Sequence, residues 1–159
     1  MAALLNHIQE IIMTARINFY AASADAIKAL SALEVAVSKL GLEPSLLELV
    51  KLRASQINGC AYCVDLHTTD ARKAGESERR LHGVSVWRET PFFTPRERAA
   101  LAWTEALTQL SLTHAPDADY ALLAAQFNDK EMVDLTLAIS TINSWNRFAV
   151  GFRKMPAAL

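Results

Sequence analysis

The chain has 159 residues, a length that corresponds to a single domain over residues 1–159. Hydrophobic residues make up 52% of it and charged residues 21%, which excludes a disordered chain. The formal net charge of −1 excludes both the basic surface of a typical nucleic-acid-binding protein and a polybasic membrane signal.

The first predicted element is a short amphipathic helix over residues 3–14, where Leu and Ile recur with helical spacing. Glu10 lies inside this apolar stretch and the first positive charge is Arg16, whereas a secretory signal has the reverse order. We therefore expect a cytoplasmic protein in which residues 1–14 extend a core formed by residues 15–153.

Caps and helix breakers mark the later elements. Ser23 caps a second helix that ends near Leu40, and Pro44 begins a third that ends near Ile57. Asn58-Gly59 is a breaker pair, after which a fourth helix begins at Cys60. This fourth helix is predicted to end at Gly75. Further helices are predicted after Ser77, after Thr94, over 116–127 and from Asn128 to about Arg153, with a loop over 88–93.

Together these signals predict an all-α fold of seven or eight helices. The chain has 27 Ala and 21 Leu residues, and no stretch of strand length alternates with a period of two. Its longest stretch without a charged residue, 135–146, has 12 residues, whereas a membrane-spanning helix needs about 20. Because the helices have more apolar faces than a small monomer buries, we expect a homo-oligomer that shares helices at a subunit interface.

The only two cysteines of the chain, Cys60 and Cys63, are three residues apart. In a cytosolic chain this spacing favours redox or metal chemistry over a structural disulfide framework. On a helix their Cα atoms would lie about 5 Å apart, within the range that a disulfide tolerates. Both would lie at the helix N-terminus, where backbone N–H groups stabilise a thiolate. The pair is therefore predicted to form a redox-active disulfide.

His67 and Glu48 complete a predicted proton relay. His67 lies within about 60° of arc of both cysteines on the same helix. If the two helices around Asn58-Gly59 fold back on each other, Glu48 lies level with His67. A carboxylate beside a histidine fixes its tautomer and raises its basicity. Because His67 is one turn from Cys63, the four residues fit an activated cysteine nucleophile.

Other interpretations of these residues remain open. The cysteines can be small buried hydrophobic residues, and Glu48 can be a charge at a helix N-terminus. The four side chains can also bind zinc, although structural zinc sites usually draw ligands from two separated segments, and we expect no metal. A redox-sensing or interaction protein, whose disulfide regulates assembly without turnover, would carry the same motif.

The segment 48–67, ELVKLRASQINGCAYCVDLH, resembles the alkylhydroperoxidase D-like branch of the carboxymuconolactone decarboxylase superfamily. The family pattern is a Glu, eleven residues, Cys-x-x-Cys, three residues and a His, which is matched by Glu48, Cys60, Cys63 and His67. The similarity extends over roughly residues 15–153 and includes segments 75–77, 87–91, 96–101 and 142–147.

The resemblance implies an all-helical fold, trimers or hexamers, and a thiol peroxidase that reduces small peroxides. It implies an external dithiol as reductant, similar to dihydrolipoamide, a lipoyl protein or thioredoxin, and no tightly bound cofactor. It also favours Cys63 as the attacking cysteine, in agreement with its proximity to His67, although the helix dipole alone favours Cys60. Some relatives have a second His directly before the second cysteine; here that residue is Tyr62.

Overall fold

A computed structural model describes Met1 and residues 14–157, so the predicted helix over 3–14 lies outside the described residues except for Thr14, which is in a bend. The described residues form nine α-helices, one 3₁₀-helix and no β-strand, which confirms the all-α prediction. None of these helices is both long and apolar enough to cross a lipid bilayer. In chain order the elements are α1 (Phe19–Ala22), α2 (Ala24–Val37), α3 (Pro44–Ile57), α4 (Ala61–Lys73), α5 (Glu78–Gly83), the 3₁₀-helix (Val84–Glu89), α6 (Pro95–Thr108), α7 (Leu110–Thr113), α8 (Asp117–Ala124) and α9 (Asp129–Gly151).

The predicted boundaries are confirmed where the sequence carries strong caps. Helix α3 begins at Pro44 and ends at Ile57, and α6 and α9 begin directly after Thr94 and Asn128. Both of these caps are capping boxes. In the first, the Glu97 N–H donates to Thr94 Oγ1 at 3.2 Å and the Thr94 N–H donates to Glu97 Oε2 at 2.7 Å. Two N–H groups that the helix leaves without a partner are thereby satisfied.

Helix α2 ends at Val37, three residues before the predicted end at Leu40. The N–H groups of Lys39 and Leu40 bond to carbonyls three residues back, at 3.0 and 3.2 Å, so the last turn is tightened and no longer α-helical. Apolar spacing alone does not distinguish the two kinds of turn.

Three short elements also differ from the prediction. Helices α1 and α7 have four residues each, which is too short to show a helical period. The predicted loop over 88–93 begins inside the 3₁₀-helix, which continues to Glu89. The other predicted helices within the described residues are present.

Helix α3 lies at the centre of the fold. One of its faces, which includes Leu46 and Val50, joins a cluster with α6 and α9, where Trp103 and Ile139 are buried. Another part of its surface joins a second cluster beneath α4, α5 and the 3₁₀-helix, whose members include Leu49, Leu52, Ala71, Leu81, Trp87 and Leu101. Because α3 is buried on several sides, its side chains have fixed positions relative to α4 and α9.

Glu105 on α6 is the acceptor of a partly buried ion-pair network. Its carboxylate accepts from Arg53 Nε at 2.7 Å, from the Trp87 indole N–H at 2.9 Å and from Arg88. Burial raises the pKa of Glu105, but the hydrogen bonds from Arg88, Trp87 and Arg53 lower it more, so the pKa lies below its ordinary value. The network ties α3, α6 and the 3₁₀-helix together.

We expect Glu105→Gln to lower the free energy of unfolding by about 1–3 kcal/mol, because charged donors lose their ionised acceptor. Glu78→Gln is the control, since its partner Arg72 and Glu78 itself are both half exposed, and we expect no measurable change. Urea unfolding of both variants and wild type at neutral pH tests this. The pKa of Glu105 is lower in the folded protein than in the unfolded chain, where it is about 4.5. Its contribution to the free energy of unfolding is therefore complete above the unfolded pKa and is lost as the pH falls through the folded-state pKa. An equal loss in both variants would contradict the network's role.

Candidate functional site

The turn between α3 and α4 ends one helix and begins the next within three residues. Gly59 has φ +64°, a left-handed conformation that glycine adopts without strain. The Gly59 N–H donates to the Gln56 carbonyl at 3.2 Å, and the Cys60 N–H donates to the Ser55 carbonyl at 3.0 Å. These two bonds form a Schellman motif, which closes α3. Cys60, the last residue of that motif, is also the N-cap of α4.

Cys60 and Cys63 form a disulfide with their Cα atoms 5.3 Å apart, as their spacing predicts. Cys60 Sγ accepts the Cys63 N–H at 3.3 Å, so the sulfur occupies the capping position at the positive end of α4. Both residues are buried. In the reduced protein, the same N–H groups and the helix dipole favour a thiolate in this first turn.

Helix α9 fixes the turn from the other side through a buried amide network. Asn58 Nδ2 donates to Asn143 Oδ1 at 3.0 Å and to Asn146 Oδ1 at 2.9 Å. Asn146 Nδ2 in turn donates to Ser55 Oγ at 3.1 Å. Ser55 and Asn146 are almost fully buried, so the bond between them forms without competition from water. The network holds the residues that precede Cys60 in one conformation.

The structure confirms the predicted contact between Glu48 and His67. Glu48 Oε2 lies 2.9 Å from His67 Nδ1, across the helical hairpin. Both side chains are largely buried. When the imidazole is neutral, this contact places the proton on Nδ1 and leaves Nε2 as the nitrogen that can accept a proton.

The environment of Glu48 keeps its carboxylate ionised. Burial raises the pKa of Glu48, but the hydrogen bond and the charge of His67, followed by the Lys51 ammonium, lower it more, so the pKa lies below its ordinary value. Glu48 can therefore act as a fixed negative charge behind His67 throughout the neutral pH range.

Two charged residues at this site, Lys51 and Glu34, are not predicted from the sequence. Lys51 lies one turn after Glu48 on α3, and its ammonium contacts Glu34 of α2 at 2.6 Å and Glu48 at 3.4 Å. The signal that could have found Lys51 is its spacing of three from Glu48, which puts both on one helix face. Glu34 had no comparable signal, because no short turn fixes the register of α2 against α3.

A cavity of about 330 Å³ opens beside the Cys60–Cys63 disulfide. Of the two cysteines, Cys63 lines it, together with His67 and Glu34. Most of the remaining wall is apolar and comes from α1, α2, α4 and α9, with Phe19, Val35, Leu66, Ile142, Trp145 and Ala149. The cavity can hold the apolar part of a small molecule while a polar group reaches Cys63 and His67.

Tyr62, which takes the place of the second histidine of some relatives, packs against both cysteines and Ala149. Its ring also lines the cavity and lies 5.3 Å from the Lys154 ammonium. Burial, followed by the charge of Tyr62 and a hydrogen bond with it, raises the pKa of the neighbouring Tyr20 above its ordinary value. Tyr62 therefore shapes the wall beside the disulfide. The predicted relay contains one imidazole, that of His67.

In the described part of the chain, no three His, Cys, Asp or Glu side chains are arranged to hold a metal ion. His82 and His114 are exposed and lie on other elements than the cysteines, whereas His7 is outside the described residues. The four predicted site residues, Glu48, Cys60, Cys63 and His67, lie together at the α3–α4 hairpin.

Comparison with known proteins agrees with this geometry. The sequence profile of the carboxymuconolactone decarboxylase family matches residues 21–106, which include all four site residues. The uncharacterized protein YdfG of Bacillus subtilis (strain 168) is 36% identical over 146 residues, which cover 92% of this chain and 99% of YdfG.

Two crystal structures share the fold. ATU0492 of Agrobacterium tumefaciens, a protein of unknown function proposed to be the antioxidant defence protein AhpD, is 49% identical with a TM-score of 0.90, covering 92% of this chain and 100% of that one. An uncharacterized peroxidase-related protein with an alkylhydroperoxidase AhpD core from Ralstonia eutropha JMP134 is 25% identical with a TM-score of 0.75. The match covers 87% of this chain and 74% of that one. The chain therefore belongs to the carboxymuconolactone decarboxylase family and has the AhpD-like fold of that superfamily.

Proposed function

We propose that the chain is a cysteine-based peroxidase that reduces alkyl hydroperoxides through Cys60 and Cys63, with Glu48 and His67 as the proton relay. The observation that carries the proposal is the position of three side chains. Cys63 and His67 both line an apolar cavity, and Glu48 contacts His67 through Nδ1. The names of ATU0492 and the Ralstonia protein support the same activity.

The proposed cycle begins with the reduced protein. His67, supported by Glu48, takes the proton of the Cys63 thiol. The Cys63 thiolate attacks the peroxide O–O bond, an S–O bond forms, and the leaving alkoxide receives the proton from His67 as an alcohol. Cys60 then attacks the sulfenic acid of Cys63, which releases water and forms the disulfide. Two electrons pass from the thiols to the peroxide.

Three features support Cys63 as the attacking residue. It lines the cavity, it lies one turn from His67, and the cysteine that caps the helix, Cys60, sits behind it at the turn. Cys60 is then the resolving residue, at a Cα distance of 5.3 Å that permits the disulfide without unfolding.

An external dithiol completes the cycle by reducing the disulfide through a mixed disulfide. Because both cysteines are buried, the attacking thiol has to enter through the cavity. A slender dithiol such as dihydrolipoamide, free or carried on a lipoyl protein, fits this route; a thioredoxin-like protein is the other candidate. The cycle needs a reducing compartment, which agrees with the cytoplasm, and it needs no bound cofactor.

The test is peroxide consumption with cumene hydroperoxide and dihydrolipoamide. We expect wild type to consume peroxide catalytically and Cys63→Ser to match the rate without protein. A wild-type rate equal to that background, also with thioredoxin as reductant, would instead favour a redox sensor, whose disulfide forms without turnover.

We also expect the chain to assemble into a homo-oligomer, a trimer or a hexamer. Several large apolar side chains are exposed in the isolated chain, among them Leu112, Leu122, Val133 and Val150. Light scattering at micromolar concentration would give three or six times the mass of one chain. A monomer would leave these apolar surfaces without an explanation.

A further inference from the structure

Lys51 is a buried ammonium for which the proposed cycle has no use. Its side chain is only 10% exposed, and it lies between two carboxylates, one on its own helix and one on α2. Burying a lysine removes its hydration, which partners have to replace. Here the partners are Glu34, which lines the cavity, and Glu48, which holds His67. The ammonium therefore links the cavity wall to the proton relay.

The two carboxylates hold Lys51 unequally. Its Nζ is 2.6 Å from Glu34 Oε1 but 3.4 Å from Glu48 Oε1. Burial lowers the pKa of Lys51, but the hydrogen bond and charge of Glu34, followed by those of Glu48, raise it more, so Lys51 remains charged at neutral pH. Glu34, the stronger partner of Lys51, is not the residue that contacts His67.

The carboxylate of Glu48 uses its two oxygens for different partners. Oε1 faces Lys51, and Oε2 contacts His67 Nδ1 at 2.9 Å. The weak contact between Lys51 and Oε1 fixes the plane of the Glu48 carboxylate. A shorter contact with the ammonium would instead draw the negative charge of Glu48 away from the imidazole. Glu34 keeps the ammonium at the longer of the two distances.

We propose that Lys51 and Glu34 are positioning residues of the redox site: Glu34 holds Lys51, and Lys51 orients Glu48 so that it keeps His67 in the Nδ1–H tautomer. The proposal rests on the proposed function, because only a relay to Cys63 gives that tautomer a purpose. The Nδ1–H tautomer leaves Nε2 of His67 free to accept the thiol proton, whereas an imidazole without a partner exchanges between both tautomers.

The test is the ¹⁵N spectrum of the His67 imidazole in the oxidised protein, at alkaline pH where imidazoles are neutral. We expect wild type to show separate signals for a protonated Nδ1 and an unprotonated Nε2, assigned with a His67→Gln variant. In Lys51→Met and in Glu34→Gln, the two signals should move toward each other, because both tautomers become populated. Lys73→Met is the matched control, since Lys73 pairs with Asp70 on the exposed face of α4 and its spectrum should equal that of wild type.

A double variant shows whether Lys51 acts through Glu48. In a Glu48→Gln background, Lys51→Met should produce no further change in the imidazole signals. The proposal is overturned if folded Lys51→Met and Glu34→Gln both keep the wild-type spectrum, if Lys73→Met shifts it equally, or if the Lys51 effect persists without Glu48. Should Lys51→Met fail to fold, Glu34→Gln, whose side chain is 30% exposed, still decides the question. Because no peroxide is used, the result is independent of whether the chain turns over peroxide.

Discussion

Cys63→Ser is expected to eliminate every reaction with peroxide, whereas Cys60→Ser is expected to react once and then stop. A serine at 63 provides no thiolate beside His67, so no sulfenic acid forms. A serine at 60 leaves Cys63, the cavity and the Glu48–His67 contact in place, but the sulfenic acid has no partner thiol at the 5.3 Å Cα distance of the native disulfide. The two variants therefore separate attack from resolution.

The measurement is mass spectrometry after one equivalent of peroxide and a sulfenic-acid trap such as dimedone. Cys60→Ser should carry one trap adduct at Cys63, and Cys63→Ser should carry none. Both variants lose the disulfide, so its contribution to stability cancels in the comparison. An adduct at Cys60 in Cys63→Ser, with none in Cys60→Ser, would reverse the order of the cysteines. Normal turnover by Cys60→Ser would show that disulfide formation is not a step of the cycle.

Glu48→Gln is expected to slow peroxide turnover by about 10²–10⁴-fold, the usual size of a general acid–base contribution. Gln keeps the shape and helix propensity of Glu, and Lys51 keeps Glu34 as its partner, so the fold should remain intact. The variant removes the negative charge that holds and supports His67. Thiolate formation at Cys63 should fall as well, which slows alkylation by iodoacetamide at pH 7.

Glu43→Gln is the matched control for this experiment. Glu43 precedes the first turn of the same helix and pairs with Arg96, whose Nε lies 2.8 Å from its carboxylate. The control removes a charge from the α3 end without touching His67, so turnover should stay within a factor of about two of wild type, since surface pairs contribute little. Equal rates for Glu48→Gln and wild type would show that His67 works without a carboxylate.

The α3–α4 hairpin could be predicted from sequence because its signals are local. Pro44 fixes the start of α3, and Asn58-Gly59 fixes its end and the reversal of the chain. Once the turn is known, the level of Glu48 against His67 follows from the helical rise. The spacing of Cys60 and Cys63 on the helix determines the distance between their Cα atoms in the same way.

The rest of the site depends on contacts between elements that no short turn connects. Glu34 reaches Lys51 across the α2–α3 contact, and the sequence carries no register for that contact. Trp145 lines the cavity because α9 presents that face beside α4. Such positions depend on side-chain packing over the whole fold, which periodicity does not encode.

A single-turnover experiment tests whether the Cys60–Cys63 pair reduces a peroxide. Reduced wild-type protein is mixed anaerobically with one equivalent of cumene hydroperoxide and no reductant, and the alcohol and the remaining thiols are measured. We expect one alcohol to form and one Cys60–Cys63 disulfide to close per chain. Both thiols remaining free with the peroxide unconsumed, or a disulfide formed without the alcohol, would contradict it.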